Sequence, residues 1–345
     1  MFIIFTGMKD EKIQIGHGSG GKQTSELIKK FFVKYFDNQI LNQLTDSAIL
    51  DIENTVLAYT TDSYVVDPVF FPGGDIGKLA ICGTVNDLSV SGAIPVYISA
   101  AFIIEEGFDF NDLRKISESM AAEAGKAGVK IVTGDTKVVS KGQCDKIFIT
   151  TTGIGILNNK HRHISTGSHI KPGDAIIVNG YIGDHGIAVL GARENIQFEE
   201  ELISDCASLN HLIQKIIQSG IKIRFMRDLT RGGLATVLSE LTDNKPYGII
   251  INEHDIPVRE VVKGTCEIFG FDPLYLANEG KVLMVVDSKD ARKTIEEMMK
   301  NADGVKPAII GKVTTDHPGK SVLNSIVGGK RIIDRLAGEM LPRIC

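Results

Sequence analysis

The 345-residue chain contains no tryptophan, and aromatic side chains make up only 6% of it. It has no basic surplus: 38 Lys and Arg stand against 43 Asp and Glu, a net charge of −5. That balance lacks the electrostatic footprint of a general nucleic-acid binder. No apolar run approaches the ~18–20 residues of a membrane span. The apolar residues 1–8 are followed, not preceded, by charges, which does not match a signal peptide. There is no C-x-x-C pair. Cys82, Cys144, Cys206, Cys266 and Cys345 are odd in number and scattered, so neither a disulfide framework nor a zinc site is expected, and a reducing cytoplasm is.

What is abundant is glycine, 36 residues, above the usual ~7%. Such an excess implies tight turns and places where backbone approaches a ligand. With 43% hydrophobic and 23% charged residues the composition is that of a globular protein, and the length favours two domains at ~150 residues each. Residues 55–61, 95–104, 129–139 and 146–157 read as strands, and 75–91 and 110–127 as helices, the first capped by Asp75. The polar stretch 158–173 reads as a linker. Beyond it come strands at 174–180, 221–227, 247–252, 281–287, 307–313 and 321–327. Helices are expected at 183–193, 205–218, 232–242, 258–268 and 288–299. The expectation is a mixed α/β (α+β) chain: an arm and helix at 1–40, a domain at 41–157, a second at 174–327, and a flexible tail at 328–345.

Residues 13–24 (IQIGHGSGGKQT) precede a helix with Leu27, Ile28, Phe31, Phe32 and Tyr35 on its apolar face. The segment satisfies G-x-G-x-x-G through Gly16, Gly18 and Gly21. It nearly satisfies G-x-x-x-x-G-K-[ST], with Gln23 in place of the hydroxyl. What both patterns share is backbone N–H groups converging on an anion, beside a lysine. A mobile glycine-rich arm is the alternative. Four aspartates, Asp46, Asp62, Asp87 and Asp135, stand at turn positions or mid-helix, and Asp87 is a poor helix former where it sits. Carboxylates gathered at one sheet edge would need cations between them, and magnesium carrying a polyphosphate suits. Taken singly, each reads more readily as a turn or cap residue, and the spacing alone does not decide.

The series H-G-S-G-G-K, T-D-S, N-D-L-S-x-S-G-A-x-P, G-D-T-K-V-V and D-L-T-R-G-G-L resembles the PurM-like ATP-binding superfamily over almost the whole chain. That resemblance implies a two-domain fold, an N-terminal α/β domain whose sheet pairs across a homodimer and a C-terminal α/β sandwich. It implies ATP and Mg2+ as cofactors. Asp46, Asp62, Asp87 and Asp135 become metal and phosphate ligands with Asn86, while Gly18, Gly20, Gly21 and Lys22 form the phosphate-closing arm.

The chain ends in P-R-I-C, and a terminal cysteine is either an incidental thiol or a carrier on a swinging arm. The 17 peptide steps from Gly328 to Cys345 span roughly 55 Å when extended. Gly328, Gly329 and Gly338 favour flexibility, and Pro342 keeps the tip from closing a helix. The ending resembles one branch of the superfamily, the carbamoyl dehydratases of NiFe-hydrogenase maturation. The resemblance implies that Cys345 receives a carbamoyl group from HypF. ATP-dependent dehydration would then turn this S-carboxamide into an S-cyanide for an iron carried by a HypC–HypD complex. Glu279 of N-E-G-K becomes the proton acceptor, and Lys137 of G-D-T-K orients the group or stabilises charge. The competing readings are another PurM-like enzyme, of selenophosphate synthetase or small-molecule kinase type, and a non-catalytic thiol-tailed scaffold. Asp228 to Gly233 read as an anion-binding or merely structural turn.

Overall fold

The computed structural model describes residues 13–18, 20–336, 341 and 343–345; Met1–Met8, Ser19, Gly338 and Pro342 lie outside them. Period-2 alternation along β2 (Thr55–Tyr64) buries Val56, Ala58, Thr60 and Tyr64 and turns Tyr59, Thr61 and Ser63 outward. With β1 (Ala48–Ile52), β5 (Ile94–Glu105), β6 (Lys130–Val139) and β7 (Ile147–Ile156) it builds a sheet of order β1-β2-β7-β5-β6. A small ribbon, β3 (Phe70–Phe71) with β4 (Gly74–Asp75), leads into the first long helix.

That helix, Ile76–Val90, starts where Asp75 Oδ1 accepts from the Gly77 and Lys78 amides at 2.7 and 3.2 Å. The sequence suggests one buried face, yet thirteen of its fifteen residues are buried. It packs on the N-terminal sheet on one side and on the strand Ile223–Asp228 and the Asn210–Gln218 helix on the other. Close packing explains its glycines: a Cβ at Gly83 would sit 2.2 Å from the Tyr64 hydroxyl. The Phe110–Ala127 helix covers its neighbour's flank and ends at Gly128, φ +73°.

The second sheet, order β14-β13-β10-β12-β8-β11-β9, comprises β8 (Ala175–Val178), β9 (Ile223–Asp228), β10 (Gly248–Asn252), β11 (Val282–Val286), β12 (Ala308–Thr314), β13 (Ser321–Asn324) and β14 (Lys330–Ile333). Its central strands β8 and β11 are buried throughout, hence their unbroken apolar sequences.

Four differences from the sequence reading have physical causes. Helix 205–218 begins only at Asn210, because Ser204 Oγ and Asn86 Oδ1 accept from the Cys206 and Leu209 amides, and 203–209 follows those side chains instead. The stretch 158–173 is anchored: Ile164 is 1% exposed and His163 bonds the Ile223 carbonyl. Strand β14, pairing antiparallel with β13, occupies part of the tail read from composition. Finally, Phe31, Phe32 and Tyr35 are exposed rather than packed.

Candidate active site

Asp62 faces inward on β2, Asp87 hangs from the first long helix, Asp46 precedes β1, and Asp228 ends β9. Thr60 Oγ1 donates to Asp87 Oδ2 at 2.6 Å, and Arg227 Nε lies 2.9 Å from Asp46 while its Nη1 bonds Glu240 at 2.9 Å. Burial pushes the carboxyls of Asp46, Asp62, Asp87 and Asp228 upward. For Asp87, repulsion from Asp62, Asp228 and Asp46 pushes further in the same direction. Four carboxylates that disfavour one another's charge are a cation's surroundings. An all-oxygen donor set suits magnesium, which takes few carboxylates and completes its shell with phosphate oxygens and water. Among the described residues no three His, Cys, Asp or Glu side chains close into a ready-made ion site. Asp228 went unassigned from sequence although its position, an acid at a strand end before a glycine turn, was the same signal as at the others.

Between this cluster and the C-terminal domain lies the end of the chain itself. Ile344 and Cys345 are 5% and 8% exposed, packed among Tyr64, Val69, Phe71, Ile76 and Cys206. The tail lies along residues 65–67, with the Val65 amide donating to the Cys345 α-carboxylate at 3.2 Å and the Asp67 amide to the Arg343 carbonyl at 3.1 Å. Arg193 Nη2 clasps the Asp67 and Arg343 carbonyls at 2.7 and 2.8 Å. Arg343 reaches Asp145 and lies 3.8 Å from Asp67, away from its own thiol.

Burial pushes the Cys345 thiol up to about 12; Arg231 opposes that, and Glu279, Asp62 and Asp228 add to it. The sulfur therefore faces one cation and three carboxylates. Glu279 is 2% exposed, and burial, then Asp205 and Asp228, raise its carboxyl well above the usual range. Its Oε1 has no hydrogen-bond partner, an expensive condition that a reacting group often shows. Its backbone is held rigidly: the amide donates to Asp205 Oδ1 at 3.0 Å and the carbonyl accepts from Asn86 Nδ2 at 3.1 Å.

Arg231 stands at the chamber's solvent side on the turn Asp228 to Gly233. Gly233 has φ +58°, and a Cβ there would meet the Leu276 carbonyl oxygen at 2.5 Å. Arg231 Nη1 donates to the Gly18 carbonyl at 3.1 Å, so the glycine-rich arm closes over this turn. Gly20 has φ +78°, and a Cβ at Gly21 would lie 2.4 Å from the Leu336 oxygen. Lys22 pairs with Asp334 at 2.6 Å.

Two candidate residues do not join this group within one chain. Along the sheet, Asp62 is in register with Thr151, Ala100 and Gly134, whereas Asp135 is in register with Ala101, Thr150 and Ser63. Registered residues share a face and neighbours alternate, so Asp135 and Lys137 occupy the outer face, three strands or ~14 Å away. There they pair with each other at 2.6 Å, both mostly exposed. Asn86 is also not free for a ligand: 2% exposed, its amide bonds the Ala207 and Glu279 carbonyls and the Leu209 amide.

Comparison with known proteins agrees with this arrangement. Residues 44–157 match the N-terminal domain of AIR synthase related proteins and 171–324 match their C-terminal domain. The carbamoyl dehydratase HypE of Rhodobacter capsulatus is 46% identical over 98% of this chain and 99% of its own length. A solved structure of the hydrogenase maturation protein HypE in complex with ATP is 44% identical, covers 97% of this chain and 100% of that one, and superposes with a TM-score of 0.80. A HypE–HypF complex matches at TM-score 0.83 and 49% identity, over 90% of this chain and 99% of that one. With both domain models matched in order and full-length relatives this similar, the chain belongs to the AIR synthase related family and, within it, to the HypE carbamoyl dehydratases.

Proposed function

We propose that this protein dehydrates an S-carboxamide on Cys345 to an S-cyanide at the expense of ATP, supplying the cyanide ligand of a NiFe-hydrogenase iron. The observation that carries the reading is the C-terminal thiol lodged in a buried chamber between Glu279, Arg231 and a cluster of mutually repelling aspartates. HypF loads the carbamoyl group while the tail is outside, where the thiol can ionise and attack. Once docked, the carboxamide oxygen takes the γ-phosphoryl group of ATP. Glu279 removes a proton from nitrogen, and the C–O bond breaks as phosphate leaves. Loss of the second nitrogen proton completes the nitrile, so the amide oxygen ends on phosphate. The HypC–HypD complex then takes the cyanide. All of this takes place in the cytoplasm.

Asp46, Asp62, Asp87 and Asp228 would hold Mg2+, which when bound neutralises charge on the transferring phosphates. Gly18, Gly20, Gly21 and Lys22 close on the phosphates, and Arg231 stabilises charge beside the sulfur-borne group. Asn86 holds the Glu279 backbone. Asp135 and Lys137 enter as phosphate ligand and catalytic cation through a homodimer. Strand β6 offers an open edge, and the outer sheet face exposes Tyr59, Tyr97, Ile103 and Ile156, a surface suited to a second copy.

The test is intact mass. Incubation with HypF and its carbamoyl donor should add ~43 Da at Cys345, and ATP with magnesium should then remove ~18 Da. Turnover on a small acceptor after Cys345→Ala would favour a small-molecule kinase instead. No ATP-dependent loss from loaded protein would leave only a scaffold.

A further inference from the structure

His185 is the second residue of the Asp184–Glu194 helix and fully buried, with both ring nitrogens engaged. Its Nε2 is 2.8 Å from the Ile344 carbonyl oxygen and its Nδ1 is 2.8 Å from Ser204 Oγ. A carbonyl only accepts, so Nε2 carries the proton. Burial disfavours a second proton on the ring, so Nδ1 accepts from the Ser204 hydroxyl. Ser204 Oγ in turn accepts from the Cys206 amide at 3.0 Å, and its own amide donates to the Pro72 carbonyl at 2.8 Å. Phe71 meets the ring edge-on at 5.4 Å. The imidazole is thus fixed by the N-terminal ribbon, the 203–209 segment and the tail at once, and Glu279 Oε1 lies 4.0 Å from its Nε2.

The bond it makes is to the peptide immediately before Cys345. With the Val65 amide donating to the α-carboxylate of Cys345 itself, the Cys345 backbone is pinned on both sides, and the sulfur's origin relative to Glu279 is set. We propose that His185 is a positioning residue of the dehydration step, an Nε2–H donor that places the loaded sulfur against Glu279 and takes no part in loading.

The proposal rests on the dehydratase reading, so the two steps are measured separately, each as a single turnover by intact mass. Wild type must show both the ~43 Da gain and the ~18 Da loss; absence of that loss defeats the dehydratase reading itself. In His185→Ala the gain should persist while the loss slows ~100-fold, the cost of an ~1 Å misplacement. His185→Gln restores an N–H near the same point and should recover most of the rate. Recovery by Gln separates a placed donor from a merely space-filling ring. Dehydration by His185→Ala within threefold of wild type overturns the proposal, as does His185→Gln performing no better than Ala. If His185→Ala fails to fold, His185→Gln and Ser204→Ala decide: near-wild-type dehydration in Gln with a slowed step in Ser204→Ala supports it, and the reverse pattern overturns it.

Discussion

The thiol in the chamber ought to sort the tail by charge. Cys345 moves from an ordinary 9.0 when free to about 12 when docked. Three pH units at 1.36 kcal/mol each make docking of the thiolate ~4 kcal/mol, or ~1000-fold, less favourable than docking of the thiol. Below pH 9 both states are protonated and docking is independent of pH. Above 9 the free thiol ionises while the docked one stays protonated, so docking weakens about tenfold per unit until pH 12. A carboxamide-bearing sulfur has no proton to lose, and its docking stays flat. The assay is iodoacetamide labelling of Cys345 from pH 8 to 10.5, read on the C-terminal peptide by mass spectrometry and normalised to a free peptide of the last five residues. Reading that peptide alone avoids interference from the partly exposed Cys144. Protection should hold to pH 9 and then drop by roughly 30-fold at 10.5. Protection that stays constant to pH 10.5, or is missing at pH 8, would refute the reasoning. The same sorting would keep only the nucleophilic thiolate outside, while a neutral sulfur, thiol or carboxamide alike, is admitted.

Glu279→Gln keeps the shape and removes the proton acceptor, so the ~18 Da loss should slow by ~100–10,000-fold while loading continues. Asp87→Asn removes one charge from the crowded cluster. Because the folded carboxyl is raised, its protonated form stabilises the protein at low pH and that contribution is lost as pH rises through the raised value. The variant should therefore unfold later than wild type at pH 8 without nucleotide, by about 1 kcal/mol, flatten the pH dependence, and lose ATP turnover. Gly233→Ala should destabilise by at least ~2 kcal/mol in urea unfolding, since a left-handed backbone and two carbonyls within 2.6 Å oppose its Cβ.

Local elements were legible because their signals are local. Asp75 ahead of an apolar run marks the first long helix, and stretches rich in β-branched and apolar residues mark β2, short by three residues at its end, and β7. The sequence reads 205–209 as helix because nothing in that segment shows that Asn86, 123 residues before Leu209, takes the Leu209 amide. The site divides in the same way. Acids beside strand ends marked Asp46, Asp62 and Asp87, but the pleat that sends Asp135 to the opposite face depends on registers across three strands, which include a slip between Ile98 and Ser99. Asp135 and Lys137 match the motif as well as the others do, so motif matching alone cannot say which face of the sheet they occupy. The terminal cysteine shows the limit most sharply. Its place at the end of the chain suggests an incidental thiol or a carrier on a swinging arm, with nothing to show what surrounds it. Arg343 anchors the tail to Asp145 while Arg231, 114 residues upstream of the sulfur, faces it. A neighbour in sequence thus fixes the backbone and a distant residue sets the charge.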